Sequence, residues 1–177
     1  MKILGLDSSG IVASVAIVED ENLIAEYTVN YKKTHSQTLL PMLDELVKMT
    51  ELDLDTIDAI AVAAGPGSFT GLRIGSATAK GLGLALKKPL VEIPTVDALA
   101  YNLYDSRALI CPIMDARRSQ VYTGIYRFQE HKLVTVEAQM AVPMAEMIEK
   151  LNARGEEVVF LGDGVPVFGK MIQENLK

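Results

Sequence analysis

The sequence is poor in the residues that form disulfides, metal sites and membrane segments. Its 177 residues include one cysteine, two histidines and no tryptophan. Cys111 cannot form an internal disulfide and lacks the partners that a structural zinc site needs, so we expect a small buried side chain. No run of about 18 apolar residues predicts a membrane helix, and Asp7 interrupts the apolar start too early for a signal peptide. These absences predict a cytoplasmic protein with no membrane segment.

Positive charge is also scarce. The chain has 17 Lys and Arg residues against 23 Asp and Glu residues, which gives a net charge of −6. Its tight basic pairs are Lys32–Lys33, Lys87–Lys88 and Arg117–Arg118. Proteins that bind nucleic acid alone usually present a basic patch, because contacts with phosphates supply most of the affinity. We therefore expect any nucleic-acid contact to be shared with a more basic partner.

The histidines do not form a helical metal pair. His35 is followed four positions later by Leu39, and the other histidine is His131. The H-x-x-x-H spacing that holds zinc or iron on a helix is therefore missing. The G-x-S-x-G elbow of a serine hydrolase is missing as well. These patterns argue against a metallopeptidase and predict no metal site, and we expect His35 at a helix start or an interface.

Hydrophobic periodicity and turn residues predict the order βββαβα twice. The first half is predicted as strands 2–7, 11–18 and 23–31, helix 36–49, strand 58–64, helix 70–86, strand 90–93 and helix 95–104. The second half is predicted as strands 108–114, 120–128 and 132–138, helix 143–153, strand 157–161 and a helix to the end. A capping-box pattern, Thr34 to Gln37, begins the first helix. We predict an N-terminal lobe over 1–104 and an incomplete C-terminal lobe over 105–177, because the second half lacks a counterpart of 90–104.

Three antiparallel strands followed by strands reached through helices predict an α/β fold, with a mixed sheet and helices packed on it. Two such halves resemble the duplicated ribonuclease-H-like lobes of the actin-like ATPase and sugar-kinase superfamily. Asp7, Asp115 and Asp163 lie at strand ends, at places that face the interlobe cleft in nucleotide-using relatives, where acids commonly hold magnesium with phosphates. The alternative is that these acids only cap turns. We expect a degenerate cleft.

The glycine-rich run 61–86 admits two interpretations. Gly65-Pro66-Gly67-Ser68, between a strand and a helix, has the form of a phosphate cradle, although it lacks the lysine and spacing of a P-loop. The alternative is close packing, because small residues recur every four positions along one ridge of the helix. That ridge consists of Gly71, Gly75, Ala79 and Gly83. A glycine inside a helix costs about 1 kcal/mol relative to alanine, so several of them require a compensating contact.

The helix predicted over 36–49 has more apolar surface than one sheet covers. At 100° per residue its apolar side chains span an arc of about 180°, which is wider than packing on a single sheet usually needs. The arc consists of Leu39, Leu40, Met42, Leu43, Leu46, Val47 and Met49. Together with the small-residue ridge, it favours a helical interface with another protein. The predicted interface consists of His35, Leu39, Leu40, Leu43, Leu46, Val47, Gly71, Leu72, Gly75, Ala79 and Gly83.

Six segments resemble the TsaB (YeaZ-like) family: ILGLDSS, THSQTLLPML, AGPGSFTGLRIGSATAKGLG, PTVDALA, MDARRSQVYTGIY and FLGDGV. The stretch GPGSFTGLRIG is the most specific, and together the segments reach across essentially the whole chain. The resemblance implies an actin-like fold and participation in making N6-threonylcarbamoyladenosine at position 37 of ANN-reading tRNAs.

The resemblance also implies partners. Members of that family pair with the catalytic paralogue TsaD through the first two helices of each protein, are joined by the small ATPase TsaE, and pair with themselves when TsaD is missing. The resemblance therefore implies that this chain is a non-catalytic subunit with no cofactor of its own. Such a subunit would bind nucleotide only weakly or in the complex, and would contact tRNA only through the complex. The alternative from another class is an ATP-dependent kinase or nucleotidase that uses the interlobe cleft.

Overall fold

A computed structural model describes residues 1–31 and 34–177 and divides the chain into two compact units, Met1–Thr95 and Val96–Lys177. The basic pair Lys32–Lys33 lies outside the described residues. Within the described part of the chain, no helix is long and apolar enough to cross a membrane. The division between the units differs from the predicted lobe boundary at 104/105, because nearly all of the segment 95–104 belongs to the second unit.

The first unit is a five-stranded mixed sheet with two long helices. Its elements are β1 (Lys2–Asp7), β2 (Ala13–Glu19), β3 (Asn22–Val29), α1 (His35–Thr50), β4 (Ala59–Gly65), α2 (Phe69–Leu86) and β5 (Leu90–Pro94). The strand order is β3-β2-β1-β4-β5. Strands β1, β2 and β3 pair antiparallel, whereas β4 pairs parallel with both β1 and β5. The observed boundaries lie within about two residues of the predicted ones.

Both helices of the first unit pack on one face of this sheet. The register places Leu4 opposite Ile17 and Ile60, and Leu6 opposite Val15 and Val62, so that alternate residues of neighbouring strands share a face. These side chains form one buried cluster with residues from both helices. The helices contribute five buried residues to that cluster: Leu39, Met42, Leu43, Leu46 and Ala79. Burial of apolar surface from two helices at once stabilises this unit.

The second unit repeats the architecture of the first. Its elements are α3 (Thr95–Ala100), β6 (Leu109–Arg117), β7 (Gln120–Gln129), β8 (Lys132–Pro143), α4 (Met144–Arg154), β9 (Val158–Leu161) and α5 (Val165–Asn175). The strand order β8-β7-β6-β9 corresponds to β3-β2-β1-β4 of the first unit. In both units the central strand pairs antiparallel with the next strand and parallel with the one reached through a helix. The predicted duplication and α/β fold class are confirmed.

Packing of α3 explains why the boundary falls before it. Val96 and Ala100 are buried in a cluster with Ile110, Met114 and Tyr126 of the second unit. The Tyr126 hydroxyl donates a hydrogen bond of 2.6 Å to Asp97, also on this helix. Burial is the main cause that raises the pKa of the Tyr126 hydroxyl above its ordinary value, and the hydrogen bond to Asp97 raises it further. Helix α3 therefore serves the core of the second unit although it follows β5 in the chain.

Three local predictions need correction or adjustment. The Thr34 side chain makes no capping bond; its hydroxyl lies 3.2 Å from that of Ser36, and the Gln37 N–H bonds to the Thr34 carbonyl instead. The helix predicted over 95–104 ends at Ala100 and continues as a 3-10 turn over Tyr101–Leu103. The strand predicted over 132–138 continues to Pro143, since β7 is long enough to pair with it as far as that residue.

Candidate functional site

The β1–β2 turn is fastened to the start of α2. Asp7 accepts a hydrogen bond of 2.7 Å from the Ser9 N–H. The Ser8 hydroxyl is buried and donates to the Gly71 carbonyl at 2.8 Å. In return, the Ser68 N–H donates to the Ser9 carbonyl at 2.6 Å. The loop that precedes α2 therefore binds the chain's own turn.

The glycines of α2 allow this close approach. A Cβ on Gly71 would lie 1.9 Å from the Ser8 carbonyl oxygen, and one on Gly67 would lie 2.4 Å from the Ser9 carbonyl oxygen. A Cβ on Gly75 would lie 2.6 Å from the Ser8 hydroxyl. The ridge Gly71, Gly75, Ala79 and Gly83 is buried along its whole length. The contacts support the close-packing interpretation, but the backbone that approaches this ridge belongs to the same unit.

Three backbone donors of this loop and of the helix start are already used within the protein. The Ser68 N–H is bound by Ser9, the Gly71 N–H donates to the Ser68 hydroxyl at 3.2 Å, and the Leu72 N–H donates to the Ser68 carbonyl at 2.8 Å. A phosphate cradle at a helix start depends on such amides being available. The geometry thus disfavours the cradle interpretation of Gly65–Ser68.

The second unit contains the corresponding turns. Asp115 accepts a hydrogen bond of 2.8 Å from the Arg117 N–H, the same two-residue spacing as Asp7 and Ser9. Asp163 accepts a bond of 3.0 Å from the Asp115 N–H. A Cβ on Gly162 would lie 2.4 Å from the Ile113 carbonyl oxygen, so this turn also packs closely against the central strand β6. All three predicted acids accept backbone N–H bonds. Asp7 and Asp115 accept theirs within their own turns, as the turn-capping alternative states, whereas Asp163 accepts its bond from strand β6.

Potential metal ligands are dispersed over the described residues, where no group of three His, Cys, Asp or Glu side chains could hold an ion. His35 is half-buried at the first position of α1, and its Nε2 lies 2.8 Å from the Gly10 carbonyl oxygen. It therefore ties the start of α1 to the β1–β2 turn. This contact matches the predicted helix-start position. Cys111 is fully buried, and that burial raises the pKa of its thiol to about 12.

Most residues of the predicted helical interface lie in the core of the first unit. Leu39, Leu43 and Leu46 are at most 4% exposed and pack against the sheet. They cannot contact a partner directly, and neither can the buried ridge of α2. Val47 and Leu72 are half-buried, and Leu40 is 52% exposed. Among the described residues, the exposed surface of α2 therefore lies on the side opposite its buried ridge.

The exposed side of α2 forms a second face that the sequence prediction missed. Phe69 is 69% exposed and Leu84 is 82% exposed. The Arg73 guanidinium lies 4.0 Å from the centre of the Phe69 ring. We call this surface the outer α2 face; it consists of Phe69, Arg73, Ala77, Lys80, Gly81, Leu84 and Ala85, all exposed. The signal was present in the sequence, because Ala77, Gly81 and Ala85 also recur every four residues.

A groove runs beside the outer α2 face. It has a volume of about 440 Å³ and lies between α2 and the strands β4 and β5. Its floor includes Val62, Ala63 and Leu72, and Glu92 lines it together with Arg73 and Lys80 of α2. An exposed apolar surface with a groove beside it is typical of protein-binding sites. This face is the candidate functional site.

Comparison with known proteins identifies the family of this chain. The family model described as TsaD, tRNA N6-adenosine threonylcarbamoyltransferase, matches residues 22–177. The tRNA threonylcarbamoyladenosine biosynthesis protein TsaB of Bacillus subtilis is 36% identical over 176 residues, which is 99% of this chain and 77% of that protein. The chain belongs to the TsaB family. TsaB of Escherichia coli is 30% identical over 93% of this chain and 72% of its own length.

A solved structure supports both the family and the fold. YeaZ from Pseudomonas aeruginosa superposes with a TM-score of 0.73 at 31% identity, covering 80% of this chain. The TsaB-family chain covers 66% of the length of that structure. The resemblance found in the sequence and the duplicated actin-like fold are therefore confirmed.

Proposed function

We propose that this chain is a non-catalytic subunit of the complex that makes N6-threonylcarbamoyladenosine at position 37 of tRNA. In this proposal it binds a TsaD-type transferase and stabilises and orients that enzyme. Its TsaB relatives are named as biosynthesis proteins of this modification. The observation that carries the proposal is the outer α2 face, an exposed apolar helix surface.

The outer α2 face has the properties of a helix-binding surface. Ala77, Gly81 and Ala85 form a small-residue ridge that is open to solvent, and a Cβ on Gly81 would meet no atom within 4 Å. Such a ridge allows another helix to approach closely. Leu84 and Phe69 flank this ridge and expose large apolar side chains, which can form the centre of a binding interface. Leu40 and Met49 add exposed apolar surface on α1.

The residues that could act chemically already have structural partners. His35 contacts a backbone carbonyl, and Asp7, Asp115 and Asp163 accept bonds from backbone amides. A metal pair on the first helix is missing from the sequence, since Leu39 stands four residues after His35. These features support a subunit without catalysis, cofactor or metal of its own. They give no support to a kinase or nucleotidase.

The proposal extends to the wider assembly. A TsaE-type ATPase would join the pair, two copies of this chain would associate when the transferase is missing, and tRNA would be met only through the complex in the cytoplasm. The net charge of −6 supports this last point, because an acidic protein alone binds phosphate backbones poorly.

Substitution of Leu84 tests the proposal. Leu84→Asp places a charge near the C-terminal end of the outer α2 face, beside Gly81 and Ala85, where burial against a partner would cost free energy. We expect affinity for the transferase, measured by isothermal titration calorimetry, to fall at least about 30-fold, the effect of a hot spot worth roughly 2 kcal/mol. The variant should keep the circular dichroism and melting temperature of the wild type, since Leu84 is exposed.

Leu23→Asp is the matched control. Leu23 is 59% exposed on β3 and belongs to the same unit, so this variant introduces the same charge away from the helices. It should bind the transferase as the wild type does. Equal binding by all three proteins would refute the proposed face. Failure of the wild type to bind the transferase, together with magnesium-dependent ATP turnover by the chain alone, would favour the kinase or nucleotidase alternative.

A further inference from the structure

The β6–β7 turn has an unusual backbone. It joins Arg117 to Gln120 through Arg118 and Ser119. Arg117, Arg118 and Ser119 have φ values of 66°, 52° and 60°. Glycine and asparagine are the residues that adopt this left-handed region most readily in short hairpins, whereas other L-residues pay in strain. The turn thus holds two arginines in the left-handed region, as the β7–β8 turn holds Glu130 and His131.

The two guanidinium groups at this turn have no partner among the described residues. Arg117 and Arg118 are both exposed. The contact of this segment with Asp115 uses the backbone N–H of Arg117 and leaves the side chain free. By comparison, the basic pair Lys87–Lys88 is partly engaged, since Lys88 donates to the Asp55 carbonyl at 2.8 Å. We call residues Arg117–Gln120 the basic tip.

The four residues of the basic tip favour a phosphate backbone over an acidic protein. Its four residues are all polar and exposed, and none offers the apolar centre that a protein interface requires. Guanidinium groups bind phosphates in a bidentate manner and need no apolar floor. The paired strands β6 and β7 hold the backbone of the tip, so that little backbone freedom is lost on binding.

We propose that the basic tip contacts the phosphate backbone of tRNA when this chain is part of the modification complex. This inference rests on the proposed function, because the acidic chain alone would repel RNA. Within the complex, the tip would add two phosphate contacts to a tRNA that is held mainly by the partner. Such contacts position the RNA and carry no base specificity.

The test measures tRNA affinity of the reconstituted chain–transferase complex over a series of salt concentrations. For Arg117→Gln with Arg118→Gln we expect about tenfold weaker binding near 0.1 M salt, and a slope of log affinity against log salt that is smaller by about 2, one for each lost phosphate contact. The control is Arg107→Gln with Lys132→Gln. Both of these residues are exposed, form no ion pair within the described part of the chain, and lie at the other end of the same sheet.

The outcomes separate this inference from the proposed function. A complex that forms and modifies tRNA, but whose salt slope is the same for the tip variant and the wild type, overturns the inference alone. Loss of transferase binding by the tip variant would assign the arginines to an acidic protein surface and would also overturn it. Absence of a complex with the wild type would refute the proposed function instead.

A second variant keeps the inference testable if the double substitution disturbs the turn. Arg118→Gly removes the charge and relieves the left-handed strain, so we expect a melting temperature higher by about 2–4 °C, as for a domain of this size stabilised by a small increment. Its complex should bind tRNA more weakly than the wild-type complex. A more stable protein with unchanged tRNA affinity and salt slope would contradict the inference.

Discussion

At the scale of single residues, Gly71 and Gly81 show how two glycines of one helix serve different purposes. Gly71 faces the Ser8 carbonyl oxygen so closely that a Cβ would lie 1.9 Å from it, whereas nothing lies within 4 Å of a Cβ on Gly81. The first glycine is required by packing inside the first unit. The second leaves an open place on the outer α2 face, where a partner helix would approach.

Alanine substitution distinguishes the two glycines. Gly71→Ala should lower the free energy of unfolding by about 1–3 kcal/mol, because the β1–β2 turn must shift to make room. Gly81→Ala should raise it by about 0.5–1 kcal/mol, since alanine reduces the entropy of the unfolded helix segment at no steric cost. Urea denaturation of the isolated chain measures both changes. Equal effects at the two positions would contradict the packing described for α2.

Glu137 provides a prediction about pH. It accepts bonds from Arg154 at 2.7 Å and from Lys150 at 3.2 Å, joining β8 to α4. The hydrogen bond from Arg154, and to a smaller extent that from Lys150, lowers the pKa of Glu137 below the ordinary value of a glutamate. Because the folded-state pKa is lowered, the stabilisation is present above the ordinary value and is lost as the pH falls through the lowered one.

Glu137→Gln should therefore reduce stability at pH 7 by less than about 1 kcal/mol, as is usual for a partly exposed ion pair. Melting curves of wild type and variant should converge as the pH falls through the lowered pKa of Glu137, where the wild-type carboxylate becomes protonated. Glu149→Gln, on the exposed side of α4 and in no ion pair within the described residues, is the control and should not change the melting temperature. A stability difference that does not shrink as the pH falls would argue against the ion pairs as its cause.

At the scale of elements, the sequence predicts where helices and strands lie better than which face they bury. The period of the apolar residues locates α1 and α2 within about one residue. However, α2 carries two small-residue ridges of the same spacing, and periodicity alone does not tell which one packs on the sheet. The structure buries the ridge that begins at Gly71, because the β1–β2 turn needs its glycines.

The wide apolar arc of α1 was ambiguous for a similar reason. Leu39, Leu43 and Leu46 fill the core, while Leu40 and Met49 remain exposed. A helical wheel shows how much apolar surface exists, but the division between core and surface depends on where neighbouring strands lie. Leu43→Asp would therefore unfold the first unit, and only exposed positions such as Leu84 test association.

At the scale of the whole molecule, the duplication was predictable from the order of its elements. Both units place the central strand between an antiparallel neighbour and a parallel one, as βββαβα requires. The boundary between the units was not predictable from that order, since α3 follows β5 in the chain but packs with Tyr126. The predicted interface residues likewise lie on α1 and α2, but most of them are buried, which periodicity alone did not reveal.

The central claim is that this chain contributes to tRNA modification by binding a transferase and performs no chemistry alone. The most direct test is a threonylcarbamoyl-transfer assay on tRNA, with the other components of the reaction present throughout. It compares the chain alone, the transferase alone and the two together. A further reaction replaces the wild-type chain with the Leu84→Asp variant. We expect no product from the chain alone, full activity from the pair, and a loss of activity with Leu84→Asp that excess variant restores by mass action. Product from the chain alone, or full activity of the transferase without it, would contradict the claim.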